Sequence, residues 1–444
     1  MSRNILNLPS YAISRIEEGE HDYHIWAEAS GHPSSCQHCG RREIVGFGRR
    51  EQLIRDLPMR GKRVGIYVDT RRYRCRQCGK TFYEHPPDMD ERRLMTSRLA
   101  DWVGKQSIQR PFTHLSDEVG LAENTIKNVF RDYINELERT IRFEVPRWMG
   151  IDDIHIIKKP RCIIVNIEHN TAVEVLSDRT KRTVMTYFQN LKGREKVSYV
   201  AMDMWAPYRE SVQALMPQAT IVVDKFHVVR MANEALESVR KAQRAEISPR
   251  KRRGLMHDRL VLLKRRHDLT DEEYLKLTGW AANYPVLGAA YDAKEAFYGI
   301  WDMKTRPAAE RAYEIWKSGL TSDVREAFQP LVRAVDGWRP HIFAYFDHRV
   351  TNAYAESVNH LIRVMNGLGR GYSFEALRAK ILFAEGSHKL KRPNLRRRQP
   401  GWLLNDMMMA RPNRYAMDTS DADREINYGA DISTLVRLIR EGKL

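Results

Sequence analysis

The chain has 444 residues, 42% of them apolar, so it is globular rather than disordered and long enough for several domains rather than one ordinary core. Lys and Arg number 74 against 57 Asp and Glu, and the net charge of +17 favours a polyanionic partner, nucleic acid before membrane. No charged start runs into an apolar stretch as in a signal peptide, and nothing reaches the ~18 unbroken apolar residues of a membrane span.

Residues 1–90 are short strand-like pieces that carry two cysteine pairs, Cys36 and Cys39 in CQHC and Cys75 and Cys78 in CRQC, each followed by glycine. Two CxxC knuckles with glycine turns can present four thiolates tetrahedrally to a structural Zn²⁺. Such a small module has little apolar core, so the metal would supply much of its folding energy. The fifth cysteine, Cys162, lies in the alternating RCIIVNIE and reads as a small core hydrophobe. Five cysteines are few for a disulfide scaffold, and a reducing cytoplasmic location fits. Arginines crowd the knuckles, among them the pairs Arg49-Arg50 and Arg71-Arg72, as a DNA-facing platform would require.

Residues 91–145 read as helices, and HLSDEVGLAENTIKNVF has the rhythm of a helix-turn-helix. A first helix is expected from near Ser116, a turn at Gly120, and a second helix capped by Glu123 or Asn124. Thr125, Lys127, Asn128 and Arg131 would then lie on or near the exposed face of a recognition helix.

From residue 146 to 230 strands and helices alternate. IDDIHII, RCIIVNIE and TAVEVL are expected to pair as antiparallel strands. A helix follows over Arg182–Leu191, then the strand VSYVAM, a helix over Pro207–Leu215 and the strand TIVVD. Three strands, helix, strand, helix, strand is the order of an RNase H-like core, so the fold class is α/β. Residues 231–340 read as an all-helical insertion, and 341–386 as the second part of the core. Residues 387–444 form a basic tail with Lys389, Arg396 and Arg397 as candidate DNA contacts.

Carboxylates stand where apolar strands would bury hydrophobes. Asp152 interrupts WMGIDDIHII, Asp203 follows VSYVAM, and Glu356 sits on the helix beginning TNAYAESVNHLI. Charges at the ends of core strands are unfavourable unless a cation holds them together. In a core of this order the first and fourth strands are neighbours, so Asp152 and Asp203 can share a pair of Mg²⁺ (or Mn²⁺) ions, completed by Glu356. Oxygen-only ligation selects hard cations for phosphodiester chemistry. Alternation leaves Asp152 and Asp153 undecided, since one shares a face with Ile154 and the other with His155. On the Glu356 helix, Asn352, Asn359, His360 and Arg363 recur at three- and four-residue spacing as a polar row beside the glutamate. Asp224 and His227 in TIVVDKFHVV line the active cleft or cap a helix, and Trp205 can stack on an unpaired base or fill the cleft wall.

The stretches CQHCG, CRQCGKTF, GIDDIHIIK, LSDRT, AMDMWAPYRESVQALMPQATIVVDKFHVVRMANEAL and TNAYAESVNHLIRVMNGLGRGYSFEALRAKILF closely resemble the transposases of the ISL3 family of bacterial insertion sequences. The resemblance spans roughly residues 30–385. It implies a DDE enzyme whose acidic residues are Asp152, in preference to Asp153, with Asp203 and Glu356. It further implies an active-site role for Asp224 and His227. The N-terminal modules would recognise terminal inverted repeats. The reaction would be cleavage at element ends followed by 3′-hydroxyl attack on target DNA. The expected setting is bacterial, cytoplasmic and nucleoid-associated, with no membrane partner. Pairing two DNA ends makes a homodimer or larger assembly the expected state. The alternatives are a non-catalytic zinc and helix-turn-helix regulator, or a DDE nuclease that cuts without strand transfer.

Overall fold

The structure is a computed structural model that describes residues 6–85, 88–90, 92–141, 145–243 and 249–386. Lys389, Arg396 and Arg397 lie outside the described residues. The chain divides into two compact units. One takes the described residues up to Ser198, residues 214–216 and those from Asn352 onward; the other takes Tyr199–Gln213 and Pro217–Thr351.

The first unit opens with β1 (Tyr11–Glu18), β2 (Asp22–Ala29), β3 (Ile44–Met59), β4 (Lys62–Cys75) and β5 (Thr81–Tyr83). They form a sheet of order β1-β2-β4-β3, with β5 paired to β4. β3 and β4 make a long antiparallel hairpin turned at Arg60-Gly61, where φ is 52° and 79°. Positive φ at both turn positions matches the right-handed twist of the flanking strands, and glycine takes the second at no steric cost. Val64, Ile66 and Val68 face a small core with Tyr23, Ile25 and Ile54, and the same face continues outward through Thr70, Arg72 and Arg74.

Three helices follow, α1 (Ser97–Ser107), α2 (Phe112–Val119) and α3 (Glu123–Thr140). The first of the helix-turn-helix pair begins at Phe112 rather than near Ser116. The Ser116 hydroxyl instead donates to the Leu121 carbonyl across the turn. Gly120 adopts φ 67° at the end of α2, as the turn requires. Ala122, not Glu123 or Asn124, occupies the cap of α3 without a side-chain bond. Glu123 lies one position inside, where the helix dipole favours an anion. α1 is fastened to β3 by Asp56, which is buried and accepts from the Thr96 hydroxyl (2.7 Å) and Arg98 Nε (2.8 Å).

The strands β6 (Trp148–Ile156), β7 (Lys159–Asn166) and β8 (Thr171–Val175) pair antiparallel in sequence, as expected, and α4 (Lys181–Asn190) follows, capped by Thr180. In the second unit β9 (Tyr199–Met202) and β10 (Thr220–Val223) are parallel, with α5 (Ala206–Leu215) between them in sequence. A crossover helix is what a parallel pair needs.

The same unit continues with α6 (Lys225–Gln243), α7 (Pro249–His257), α8 (Arg259–Leu263), α9 (Asp271–Asn283), α10 (Pro285–Ile300), α11 (Arg306–Ser318) and α12 (Ser322–Asp347). Their apolar faces gather around Tyr291, Phe297, Tyr313, Trp316, Phe328 and Phe343. Here Trp316 donates to the Ala293 carbonyl (2.8 Å), and Trp301 stacks on Phe346.

The chain then returns to the first unit as α13 (Ala353–Gly369) and α14 (Phe374–Glu385). α13 lies on β6 and β7, and α14 on β8. One continuous core joins α1, α2 and α3 to β6–β8, α13 and α14; Leu99, Phe112 and Phe130 share it with Ile163, Ile362 and Leu377. Lys380 of α14 is buried there and donates to the carbonyls of Ser107 and Arg110, with its ammonium over the rings of Phe112, Phe130 and Tyr372. No helix among the described residues is long and apolar enough to cross a membrane.

Candidate functional site

The two knuckles close on one another as direct repeats of one CxxCG pattern. Gly40 N–H donates to the Cys36 carbonyl and Gly79 N–H to that of Cys75, with φ 69° and 70° at the two glycines. The sulfurs of Cys36 and Cys78 are 3.7 Å apart and those of Cys39 and Cys75 3.6 Å. A tetrahedron with metal–sulfur bonds of about 2.3 Å has edges of about 3.8 Å, so the four thiolates fit zinc. Cys162 is buried on β7, the core hydrophobe its pattern suggests.

In the first unit, β6 carries Asp152 on the face it shares with buried Ile154 and Ile156, while Asp153 is half-buried. Asp152 is only 5% exposed. Its Oδ2 accepts from Asn359 Nδ2 at 2.7 Å, and its Oδ1 from the Asp153 N–H at 2.7 Å. Asp153 turns the other way and pairs with Arg179. The two adjacent carboxylates thus lie on opposite faces of the strand with different partners. Asn359 also donates to the Asp153 carbonyl (3.2 Å), and Asn352 Nδ2 to the Ile151 carbonyl (3.0 Å), so one amide on α13 and one at its N-cap grip the β6 backbone. Gly150 permits this approach, because a Cβ there would overlap Asn352 and Val165. Glu356 occupies the first turn of the same helix and is exposed. Asn359 faces inward with Val358 and Ile362, whereas His360 faces solvent, so the expected polar row is split.

In the second unit, Asp203 closes β9 and Asp224 closes β10. Asp203 Oδ2 lies 2.8 Å from His227 Nε2, and its carbonyl accepts from the Trp205 N–H at 2.7 Å. Asp203 Oδ1 is buried with no hydrogen-bond partner among the described residues. Asp224 is fully buried; its Oδ1 accepts from the Phe226 N–H (3.3 Å) and its carbonyl from the His227 N–H (3.2 Å), which starts α6. Asp224 therefore caps the helix, and that turn aims His227 at Asp203. Trp205 is 38% exposed.

Of the basic candidates, Lys127, Asn128 and Arg131 are exposed on α3, Thr125 is half-buried, and Lys127 pairs with Glu123 at 2.8 Å. The first three line one wall of a cleft of about 580 Å³ whose other wall is the start of α14, with Tyr372, Ser373 and Ala376. Arg49 pairs with Asp69 at 2.7 Å, and Arg71 lies against His32 and Glu28. Arg50 and Arg72 sit on the opposite face of the hairpin.

Residues 149–381 match the DDE family described as transposase of the ISL3 type. The chain belongs to the ISL3 transposase family. Residues 32–78 match the family's zinc-finger, described for transposases IS204, IS1001, IS1096 and IS1165, and residues 84–134 match its helix-turn-helix domain. Among curated relatives, the transposase for insertion sequence element IS1001 of Bordetella parapertussis is 24% identical over 82% of this chain and 92% of its own length. The transposase for IS1557 of Mycobacterium tuberculosis is 27% identical over 59% of this chain and 65% of its own. This ISL3 transposase thus carries zinc-ribbon, helix-turn-helix and DDE transposase domains in that order, and its zinc cluster supports a structural metal. Sequence reasoning about this family member missed Gly150 and Lys380. Only the glycine inside an apolar strand gave a signal, since such a residue marks close backbone approach.

Proposed function

We propose that the chain is a transposase that binds the terminal inverted repeats of an insertion sequence and catalyses Mg²⁺-dependent strand cleavage and strand transfer. In this reading residues 1–90 and 91–145 bind DNA. Residues 146–230 and 341–386 form one RNase H-like core, and 231–340 are its helical insertion. Asp152, Asp203 and Glu356 are the acidic ligands for Mg²⁺ or Mn²⁺. The observation that carries the assignment is the buried Asp203 oxygen that no donor among the described residues meets. An orphaned carboxylate oxygen inside a protein is costly, and a hard cation is the partner its chemistry suits. When bound, the cations would activate the attacking water or 3′-hydroxyl and take up charge at the departing 3′-oxygen.

The chain's own residues do the positioning. Asn359 holds Asp152 through its second oxygen, and the Asp153 amide holds the first. His227 fixes one oxygen of Asp203 and leaves the other available. Thr125, Lys127, Asn128 and Arg131 present the recognition helix to the element ends, and Trp205 is available to an unpaired base. Asp203→Asn keeps the shape and removes the charge. It is expected to retain binding to element-end DNA and to abolish both cleavage and joining with Mg²⁺. Retained cleavage would sink the assignment, and cleavage without joining in the wild type would make the protein a nuclease.

A further inference from the structure

The zinc hairpin has two unlike faces, and strand alternation sorts its arginines between them. On one face Tyr73, Cys75 and Phe82 pack toward the metal cluster, and Arg49 and Arg71 are met by Asp69 and Glu28. The other face carries Arg50, Arg72 and Arg74 with two rings, Phe47 and Tyr83, which are 48% and 38% exposed. The guanidinium of Arg50 lies 5.3 Å from the centre of the Tyr83 ring, and that of Arg72 lies 5.6 Å from the same ring. Arg72 is also 5.4 Å from Phe47, and Arg74 is 5.7 Å from Phe47. Cation and ring therefore alternate as Arg50, Tyr83, Arg72, Phe47, Arg74. The Arg72 side chain is further held by a bond to the Thr81 hydroxyl (2.9 Å), on the strand that pairs with it. No carboxylate pairs with Arg50, Arg72 or Arg74 among the described residues.

Aromatic faces at this distance attract guanidinium groups without neutralising them. The result is a row of charges whose side-chain freedom is already restricted and whose outward donors are unspent. A polyanion with regularly repeated charge is the complementary partner. A guanidinium held in place loses less entropy per phosphate contact than a free one.

We infer that this face of the zinc module is a preorganised cradle for the sugar-phosphate backbone of duplex DNA, gripping it without regard to base sequence, while Arg49 and Arg71 play no part. The inference rests on the assignment of the chain as a DNA-acting enzyme, and it adds Phe47 and Tyr83 to the arginine surface. Phe47 and Tyr83 act by holding the arginines and not by reading bases.

The test is equilibrium binding of the zinc-loaded full chain to fluorescent duplexes, one ending in the inverted repeat and one of scrambled sequence, over 50–200 mM salt. Each phosphate contact contributes a slope of about −0.9 in log affinity against log salt. Changing Arg50, Arg72 and Arg74 together to Gln is expected to flatten the slope by about 2.7 on both duplexes, so the wild-type advantage shrinks about 40-fold across that range. Arg49→Gln with Arg71→Gln is expected to leave the slope unchanged. Phe47→Leu with Tyr83→Leu is expected to weaken binding several-fold at constant slope. Zinc content of each variant shows that the module is folded. An unchanged slope in the triple variant, or an equal change in the Arg49/Arg71 variant, overturns the cradle and leaves the transposase assignment standing. A wild type that binds neither duplex overturns both.

Discussion

Asn359→Ala isolates the contribution of α13 to the acidic site. The substitution removes the 2.7 Å bond to Asp152 Oδ2 and the 3.2 Å bond to the Asp153 carbonyl. A hydrogen bond to a charged group contributes about 1.5–3 kcal/mol and one to a neutral carbonyl about 0.5–1.5 kcal/mol. The sum, about 2–4.5 kcal/mol, lies within the usual stability of a folded domain, so the variant is expected to fold. Its main effect falls on the orientation of a carboxylate that is 5% exposed and cannot recruit bulk water in place of the amide. Groups that orient metal ligands typically contribute about 10–100-fold to metal affinity or activity. Strand cleavage of an end-bearing duplex is therefore measured against Mg²⁺ concentration. The half-saturating Mg²⁺ should rise about 10–100-fold, with cleavage partly restored at high metal and end-DNA affinity unchanged. An unchanged Mg²⁺ requirement would refute the orienting role, as would a loss of cleavage that no metal concentration relieves.

Two further outcomes concern stability. Chelation, or Cys75→Ser, should release one zinc per chain, detected with a chromogenic chelator, and open residues 32–85 to proteolysis; structural zinc contributes about 10–16 kcal/mol in small modules, more than so slight a core can replace. A hairpin that stays protease-resistant after zinc release would count against this. Burial draws the Lys380 ammonium down to about 7 from 10.5. The unfolded chain then binds more protons between those values, so this residue's contribution to stability should rise as pH increases from about 7 toward 10 and be absent below 7. Denaturant titrations of wild type and Lys380→Met across that range should diverge in favour of the wild type with rising pH. Parallel curves would mean that the two carbonyls and three rings around the ammonium offset the burial.

Periodicity and spacing carry much of this architecture. The CxxC pairs point to the zinc cluster, and the change from helical to alternating patterns near residue 146 gives the order from β6 to β10. What they miss depends on contacts between distant segments. Asp152 and Asp153 differ because α13, more than 200 positions later, covers one face of β6. The split of Asn359 from His360 has a local cause: a helix turns about 100° per residue, so adjacent residues at the edge of a buried stripe fall on either side of it. Ser116 looks like a helix start until its neighbours Phe112 and Leu115 are seen in the core, where they extend α2 backward. The Arg-Arg steps were legible as charge, and alternation alone already implies that each pair is divided between two faces. Which face meets acids required the positions of Asp69 and Glu28.

The continuous core that links α1–α3 to α13 and α14 limits how such a protein can diversify. A recognition domain on a flexible tether can be exchanged whole between relatives, because its boundary crosses little buried surface. Here an exchange at residues 91–145 would cut through Leu99, Phe112 and Phe130 and leave Lys380 facing foreign carbonyls. In the proposed reading, new preferences for element ends are more accessible by point changes on the outer face of α3, where Lys127, Asn128 and Arg131 are exposed, than by recombination of modules. Chimaeras between family members should accordingly keep function only when α14 travels with the helices it supports.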